Sequence, residues 1–449
     1  MGKNFIVDGN IYKALLKLSL PIFIAFLIQM SYHFVDTIFV ARLGPEYVAA
    51  LAYVTPILFI IFAIAQGLGI GATALVAQHI GAKNKKKAVN TAEHSFLLSI
   101  ILSIVFTIPI LIFQKSIFVA MGATPDLLLI TARYSSWVFG AFGFVFVGFV
   151  GGAILRGTGD MKTPMIAIGI SAILNIILDP LLIFGIGPFP EMGITGAAIA
   201  TVLSRSIQVV YILVFLLRKN AKFKLNLRLF KFDPHIFSKI VAVGIPASMA
   251  SGVRSLGMAF IMGLVSGYGA MAVAAWGIVF KVEGLIFLPL MAIGTAAITM
   301  IGQNLGAGKV DRSIKIAKVS VLIGAISVFI IGLLIFIFPK FFITIFVIDL
   351  EVIRFGALYF SMLAFTYPLM GIYFVGVAIL QGSGHLKPVI FAEVLRWGII
   401  LGFGYSLSSL ILSDIRHFYL LIVIASVLTP VYILYTIIKG AWAKPVIKN

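Results

Sequence analysis

Residues 154–162 read ILRGTGDMK, and residues 379–387 read ILQGSGHLK. One ungapped offset of 225 residues relates them, and it also carries Pro21 onto Pro246, Gly44 onto Gly269 and Ala49-Ala50 onto Ala274-Ala275. Gly69 falls on Gly294, and Gln78…Gly81-Ala82 on Gln303…Gly306-Ala307. Matches at one displacement along half a chain mark an internal duplication. Each motif closes an apolar run long enough to cross a bilayer as a helix. Working outward, twelve such runs are expected, at roughly 14–41, 48–78, 92–114, 128–155, 163–185, 192–217, 239–266, 269–300, 316–338, 353–380, 388–410 and 416–437. Six spans per half is an even number, so both halves enter the membrane from one side. That makes a parallel repeat about an axis along the membrane normal, a plan that encloses a central cavity and opens it alternately to either side.

Composition agrees. Of 449 residues 61% are hydrophobic and 11% charged, against about 25% charged in soluble domains. Barrel strands would be half as long and alternating, so the class is all-α integral membrane. Without cysteine there are no disulfides or thiolate metal sites. Residues 1–10 are polar and the first apolar run is of span length, so no cleavable signal is expected.

The net charge of +19 is distributed by topology. Basic residues gather in alternate connections: Lys3, Lys13 and Lys17; Lys83, Lys85, Lys86 and Lys87; Arg156 and Lys162; residues 218–239; Lys309, Arg312, Lys315 and Lys318; Lys387; and Lys439, Lys444 and Lys448. The intervening ones hold only Arg42, Lys115, Arg133, Lys340, Arg354 and Arg416. That bias places both termini in the cytoplasm and leaves no reason to expect a nucleic-acid partner. Residues 1–217 form the N-terminal lobe and 239–449 the C-terminal lobe. The basic linker between them, 218–238, suits the lipid interface and ends at Asp233-Pro234, a helix cap with a first-turn proline. Gly308-Lys309 fails the P-loop pattern, having Gln303 and Val310 where Gly and Ser/Thr belong, and Gly157-Thr158-Gly159 reads as a tight turn. With no soluble ATPase domain, energy is expected from an ion gradient.

The halves differ in their polar residues. Asp36 maps to Ile261, Asn175 to Ile400, Asp179 to Gly404 and Thr201 to Ser426. A carboxylate inside a span costs about 2.5–3.5 kcal/mol, so these positions point to function. Asn175 and Asp179 are one turn apart on one helix face, and Pro180 frees the carbonyl of Ile176 beside the acid. Oxygen donors from three spans at one depth would hold Na⁺, or the two carboxylates would share a proton. His33 lies on a neighbouring face. The C-terminal half instead carries Arg254, Lys281, Glu283, Glu393 and Arg396, at positions matched by Gln29, Pro56, Leu58, Ile168 and Ser171. These either neutralise one another across helices or line a substrate cavity, with Arg254, Lys281 and Glu283 the cavity candidates and Glu283 the contact for a cationic substrate.

LSLP at 18–21, VDTIFVARLGPEYVAAL at 35–51, the IGA turn at 80–82, ILRGTGDMKTP at 154–164 and LNIILDPLLIFG at 174–185 together resemble the multidrug and toxic compound extrusion (MATE) transporters. The likeness runs over essentially the whole chain and is greatest to the prokaryotic branch named after the DNA-damage-inducible F protein. It implies two six-helix lobes forming a V, and a monomeric, non-enzymatic antiporter of the cell membrane working by alternating access. Such a protein exports amphipathic, often cationic organic compounds in exchange for H⁺ or Na⁺, with membrane lipid around it and no cofactor beyond the transported ion. Asp36, Asn175, Asp179 and Thr201 match the family's N-lobe cation site and would be the metal ligands if Na⁺ binds. Two positions depart from the pattern: Gly152 replaces a fourth-span asparagine, removing one oxygen ligand, and Arg254 replaces a seventh-span acid. The rival readings are a flippase for lipids or lipid-linked oligosaccharides, and a passive channel or scaffold.

Overall fold

The computed structural model describes residues 4–218, 223–226, 230–407, 411 and 413–447. Lys3, Lys219, Lys222, Arg228 and Lys448 of the basic connections, parts of the 218–238 linker and the end of the eleventh expected span lie outside the described residues. Among those described, every regular element is helical.

The elements are α1 (Phe5–Asp8), α2 (Ile11–Ala41), α3 (Pro45–Gly81), α4 (Lys85–Ala120), α5 (Pro125–Gly140), α6 (Phe142–Thr158), α7 (Lys162–Phe184) and α8 (Ile194–Leu217). There follow α9 (Pro234–Ser266), α10 (Ala270–Gly306), α11 (Val310–Ile337), α12 (Pro339–Thr344), α13 (Leu350–Leu363), α14 (Tyr367–Ser383), α15 (Lys387–Trp397), a short α16 (Gly404–Ser406) and α17 (Ile415–Lys439). Among the described residues, eleven helical runs are long and apolar enough to cross a membrane, and the pair α5–α6 makes a twelfth if taken as one span. The expected single span at 128–155 is thus a helix bent by 41° around Ala141. A 3₁₀ turn at Ala364–Thr366 joins α13 to α14, and a π segment at Gly398–Phe403 continues α15.

The chain divides into two compact units, Met1–Phe23 with Met249–Asn449, and Ile24–Ser248. The two cuts are themselves 225 residues apart, each two residues beyond a proline inside a helix, Pro21 in α2 and Pro246 in α9. Each unit therefore combines most of one repeat with the leading segment of the other.

Within each unit the repeated motif does the same packing work. In unit Ile24–Ser248 a Cβ on Gly157 would lie 2.9 Å from the Thr73 carbonyl oxygen, so only glycine lets α6 approach α3 so closely. In the other unit the Cβ of a residue at Gly382 would lie 2.6 Å from the Ile298 carbonyl oxygen, and position 298 is the repeat of position 73. The motif then ends each helix on a left-handed glycine, Gly159 (φ 95°) and Gly384 (φ 81°). Asp160 N–H donates to Leu155 O at 3.1 Å, and His385 N–H to Leu380 O at 3.0 Å, which closes both ends in the same way. The core of Ile24–Ser248 is aromatic and aliphatic, with Phe118, Phe139, Phe142, Phe146, Ile61 and Ile183 fully buried.

A short segment ahead of each repeat's first helix is pinned by side chains. Asn304 Nδ2 donates to Ile6 O at 3.3 Å, Lys309 Nζ to Asp8 Oδ1 at 2.6 Å, and Arg312 to Gly9 O. In the other unit Glu93 Oε1 accepts from Asn226 N at 2.7 Å, and His94 Nε2 accepts from Asp233 N at 2.8 Å. Asp8 and Asp233 are repeat equivalents.

Candidate functional site

The site is built on α7. Lys162–Phe184 runs helically through Pro180, which membrane helices tolerate when neighbours satisfy the freed carbonyl. Asn175 and Asp179 are 1% and 0% exposed. Asn175 Nδ2 donates to Asp179 Oδ1 at 3.1 Å, while Asn175 Oδ1 and Asp179 Oδ2 are buried without a hydrogen-bond partner. Asp36, half-buried on α2, lies within hydrogen-bonding reach of Asp179. Two carboxyl groups so close require a proton or a cation between them, because both bare charges in a low dielectric repel strongly.

Thr201 is buried on α8, the helix that packs along α7. The structure thus brings Asp36, Asn175 and Asp179 into one cluster and sets Thr201 on the adjoining helix without a direct bond to them. Tyr32 on α2 and Tyr134 on α5 complete the surroundings, and both are electrostatically coupled to Asp36 and Asp179. His33 is exposed, its ring 4.4 Å from that of Tyr32.

One residue was missed by sequence reasoning. Arg205 lies one turn after Thr201 on α8, its guanidinium 5.6 Å from the Phe62 ring centroid and within reach of the Tyr32 hydroxyl. It was legible in principle, as the arginine of the sixth span at i+4 from Thr201.

As a donor set for Na⁺ the cluster offers two carboxylates, the unpartnered Asn175 Oδ1 and Asp179 Oδ2, and the Thr201 hydroxyl on α8. Oxygen-only ligation suits a hard cation, and two orphaned buried acceptors are what such an ion would satisfy. Gly152 adds no oxygen. Among the described residues no group of three or more His, Cys, Asp or Glu side chains is placed to hold a metal ion.

In unit Met1–Phe23 with Met249–Asn449, the polar residues sort into two arrangements. Arg254 is ion-paired with Glu393, its Nε donating to Oε1 at 2.9 Å, and Glu393 is fully buried. Glu283 accepts from Tyr359 at 2.9 Å and Tyr367 at 3.2 Å, so tyrosines rather than Lys281 or Arg254 hold it. Lys281 is exposed. Arg396 stands over the Tyr373 ring at 5.7 Å instead of pairing with Glu393, three residues back on its own helix.

A duplicated helical bundle with up to twelve membrane spans among the described residues, carrying a carboxyl pair in one unit, has the plan of a polytopic membrane transporter. The MatE family model matches residues 21–181 and 246–406, the second match displaced by the same 225 residues as the repeat, and the chain belongs to that family, the multidrug and toxic compound extrusion transporters. A probable multidrug resistance protein of Bacillus subtilis, YoeA, is 28% identical over 408 residues, covering 89% of this chain and 87% of that one. The FAD transporter of Shewanella oneidensis is 31% identical, covering 82% of each. A solved MOP superfamily transporter from Pyrococcus furiosus superposes with a TM-score of 0.90 at 27% identity, over 98% of both chains.

Proposed function

We propose that this protein is a secondary active efflux antiporter that exports amphipathic, often cationic organic compounds in exchange for H⁺ or Na⁺ by alternating access. The observation that carries the reading is the close approach of half-buried Asp36 to buried Asp179 beside two unpartnered acceptor oxygens. An external cation entering the pair neutralises it, desolvation becomes tolerable, and the repacked helices release substrate outward. Membrane potential adds about 2.3 kcal/mol per charge per 100 mV. Asp36, Asn175, Asp179 and Thr201 are the coupling residues in this reading, and Glu283, Arg254 and Lys281 the substrate contacts. The functional halves are 1–217 and 239–449, joined by 218–238, with both termini cytoplasmic in a monomer of the plasma membrane. Relatives named as multidrug resistance proteins support the substrate breadth.

The test is efflux of a fluorescent lipophilic cation from proteoliposomes under separately imposed pH and Na⁺ gradients. One gradient should drive efflux by the wild type, and Asp36→Asn should abolish the driven component while folding normally. Normal pumping by Asp36→Asn would refute the coupling assignment. A second substrate reading, anionic flavin nucleotides, is favoured by the FAD-transporting relative; FAD efflux in the same vesicles separates the two.

A further inference from the structure

Residues 319–338 of α11 carry no charge between Lys318 and Lys340. At about 1.5 Å per residue they span about 30 Å, the thickness of a bilayer's hydrocarbon core. The crossing is therefore complete at Phe338. Beyond it a water-facing loop would be polar, yet residues 341–348 read FFITIFVI, again without charge.

The fold does not tuck these residues inward. Phe338 leaves the helical conformation (φ −123°, ψ 54°) ahead of Pro339, which lacks the N–H that would continue α11. The short α12 then packs on one side only. Ile343 is fully buried in space that Gly356 of α13 leaves open, since a Cβ on Gly356 would lie 2.6 Å from Ile343 Cδ1. Phe341 and Ile345, four residues apart, are exposed on the other side, as is Phe338. Asp349 caps α13, its Oδ1 accepting from Glu351 N at 2.9 Å and Val352 N at 3.0 Å. That turn leaves its neighbours projecting, Ile348 92% and Leu350 83% exposed.

The first repeat manages without such a patch. At the same offset Phe341, Ile345, Ile348 and Leu350 correspond to Ser116, Ala120, Ala123 and Pro125, and α4 runs unbroken to Ala120. Large apolar side chains here belong to one repeat alone, and in water they would be unfavourable in proportion to their area. The cover they fit is lipid, because the patch continues the exposed apolar flank of a membrane span, α11, at Leu333, Phe336 and Ile337. Lys340 and Arg354, both exposed, supply the charge that suits lipid phosphates. The acids of the segment, Asp349 and Glu351, open α13, and the Asp349 carboxylate is engaged in its cap.

We propose that residues 338–350 form an interfacial foot, in which Phe338, Phe341, Ile345, Ile348 and Leu350 lie in the boundary between lipid headgroups and acyl chains and hold this end of α11 and α13 at a fixed depth.

The chain has no cysteine, so single cysteines accept a nitroxide label without background. Ile348→Cys, Leu350→Cys and Thr124→Cys are labelled in the full chain and reconstituted into phosphatidylcholine–phosphatidylglycerol vesicles. Thr124 is the exposed repeat equivalent of Asp349, in the tip GATPD at 122–126. Relaxation of the label by oxygen, which concentrates among acyl chains, is compared with relaxation by a water-soluble nickel chelate. The oxygen-to-nickel ratio for Ile348→Cys and Leu350→Cys should exceed that for Thr124→Cys severalfold. An equal or lower ratio puts the segment in water and overturns the proposal. Labels shielded from both reagents, or broadened by a neighbouring label, put another protein or a second copy there and overturn it equally. Ile348→Asp combined with Leu350→Asp should lower the melting temperature in lipid nanodiscs, since lipid disfavours the added charges, and unchanged melting overturns the anchoring role.

Discussion

The side-chain amide of Asn175 donates to Asp179 Oδ1 at 3.1 Å, one turn along α7, and leaves Asp179 Oδ2 without a partner. The amide orients the carboxyl and satisfies half of it, so the other oxygen stays available. Replacing Asn175 by Ala removes a hydrogen bond to a charged group, worth about 1.5–3 kcal/mol. Ion dependence should weaken by about tenfold or more, with maximal efflux at saturating ion largely retained. Ion titrations of Asn175→Ala in proteoliposomes check this, and an unchanged midpoint would count against the orienting role.

The pair Arg254–Glu393 makes a contrasting prediction. Glu393 is fully buried, and its Oε2 has no partner even with Arg254 in place. Arg254→Ala would strand a buried carboxylate, costing about 3–5 kcal/mol, whereas the double change Arg254→Met with Glu393→Leu should recover most of the loss. Thermal unfolding in detergent reads both. If Arg254→Ala melts like wild type, the pair is no structural tie and its candidacy as a substrate contact strengthens.

Gly157 and Gly382 should respond alike to alanine. The added methyl would meet the Thr73 carbonyl oxygen at 2.9 Å in one case and the Ile298 carbonyl oxygen at 2.6 Å in the other. Overpacking of this kind costs about 1–3 kcal/mol. Both variants should show lowered melting temperatures, Gly382→Ala the more so because its contact is shorter. Alanine accepted without loss at either site would mean that the helices there separate easily.

Asp8 gives a pH prediction. Its hydrogen bond from Lys309 holds the Asp8 carboxyl below the usual carboxylate range. A carboxyl depressed on folding adds stability above its unfolded value, about 3.9, and loses it as pH falls through the folded value. Hydrogen-exchange protection factors at residues 5–8, corrected for the intrinsic rate, should fall below about pH 4, and Asp8→Asn should show lowered protection already at neutral pH with little further acid dependence.

Much of this was legible in the chain. Span positions follow from apolar runs, and the repeat from one offset, because close helix packing fixes small residues such as Gly157 and Gly382 in sequence. The pairing of Asn175 with Asp179 follows from helical periodicity. Partners set by tertiary contact were not legible. Glu283 is held by Tyr359 and Tyr367, hydroxyls that look like ordinary aromatic filling in a chain with 14 tyrosines and 39 phenylalanines. Glu393 pairs across helices with Arg254 instead of with Arg396 at i+3, because the Arg396 side chain turns onto Tyr373 and Met370. The bend at Ala141 has no proline to announce it, and the partner of Arg205, the Phe62 ring on another helix, is set by tertiary contact alone.

The exchanged leading segments constrain how the protein is made. Residues 4–9 are fastened by Asn304, Lys309 and Arg312, so this segment has no berth until the second repeat has been made. A stretch translated before the first repeat's spans is secured only after the second repeat's. A chain stalled after its sixth span would therefore present residues 4–9 undocked and open to proteases.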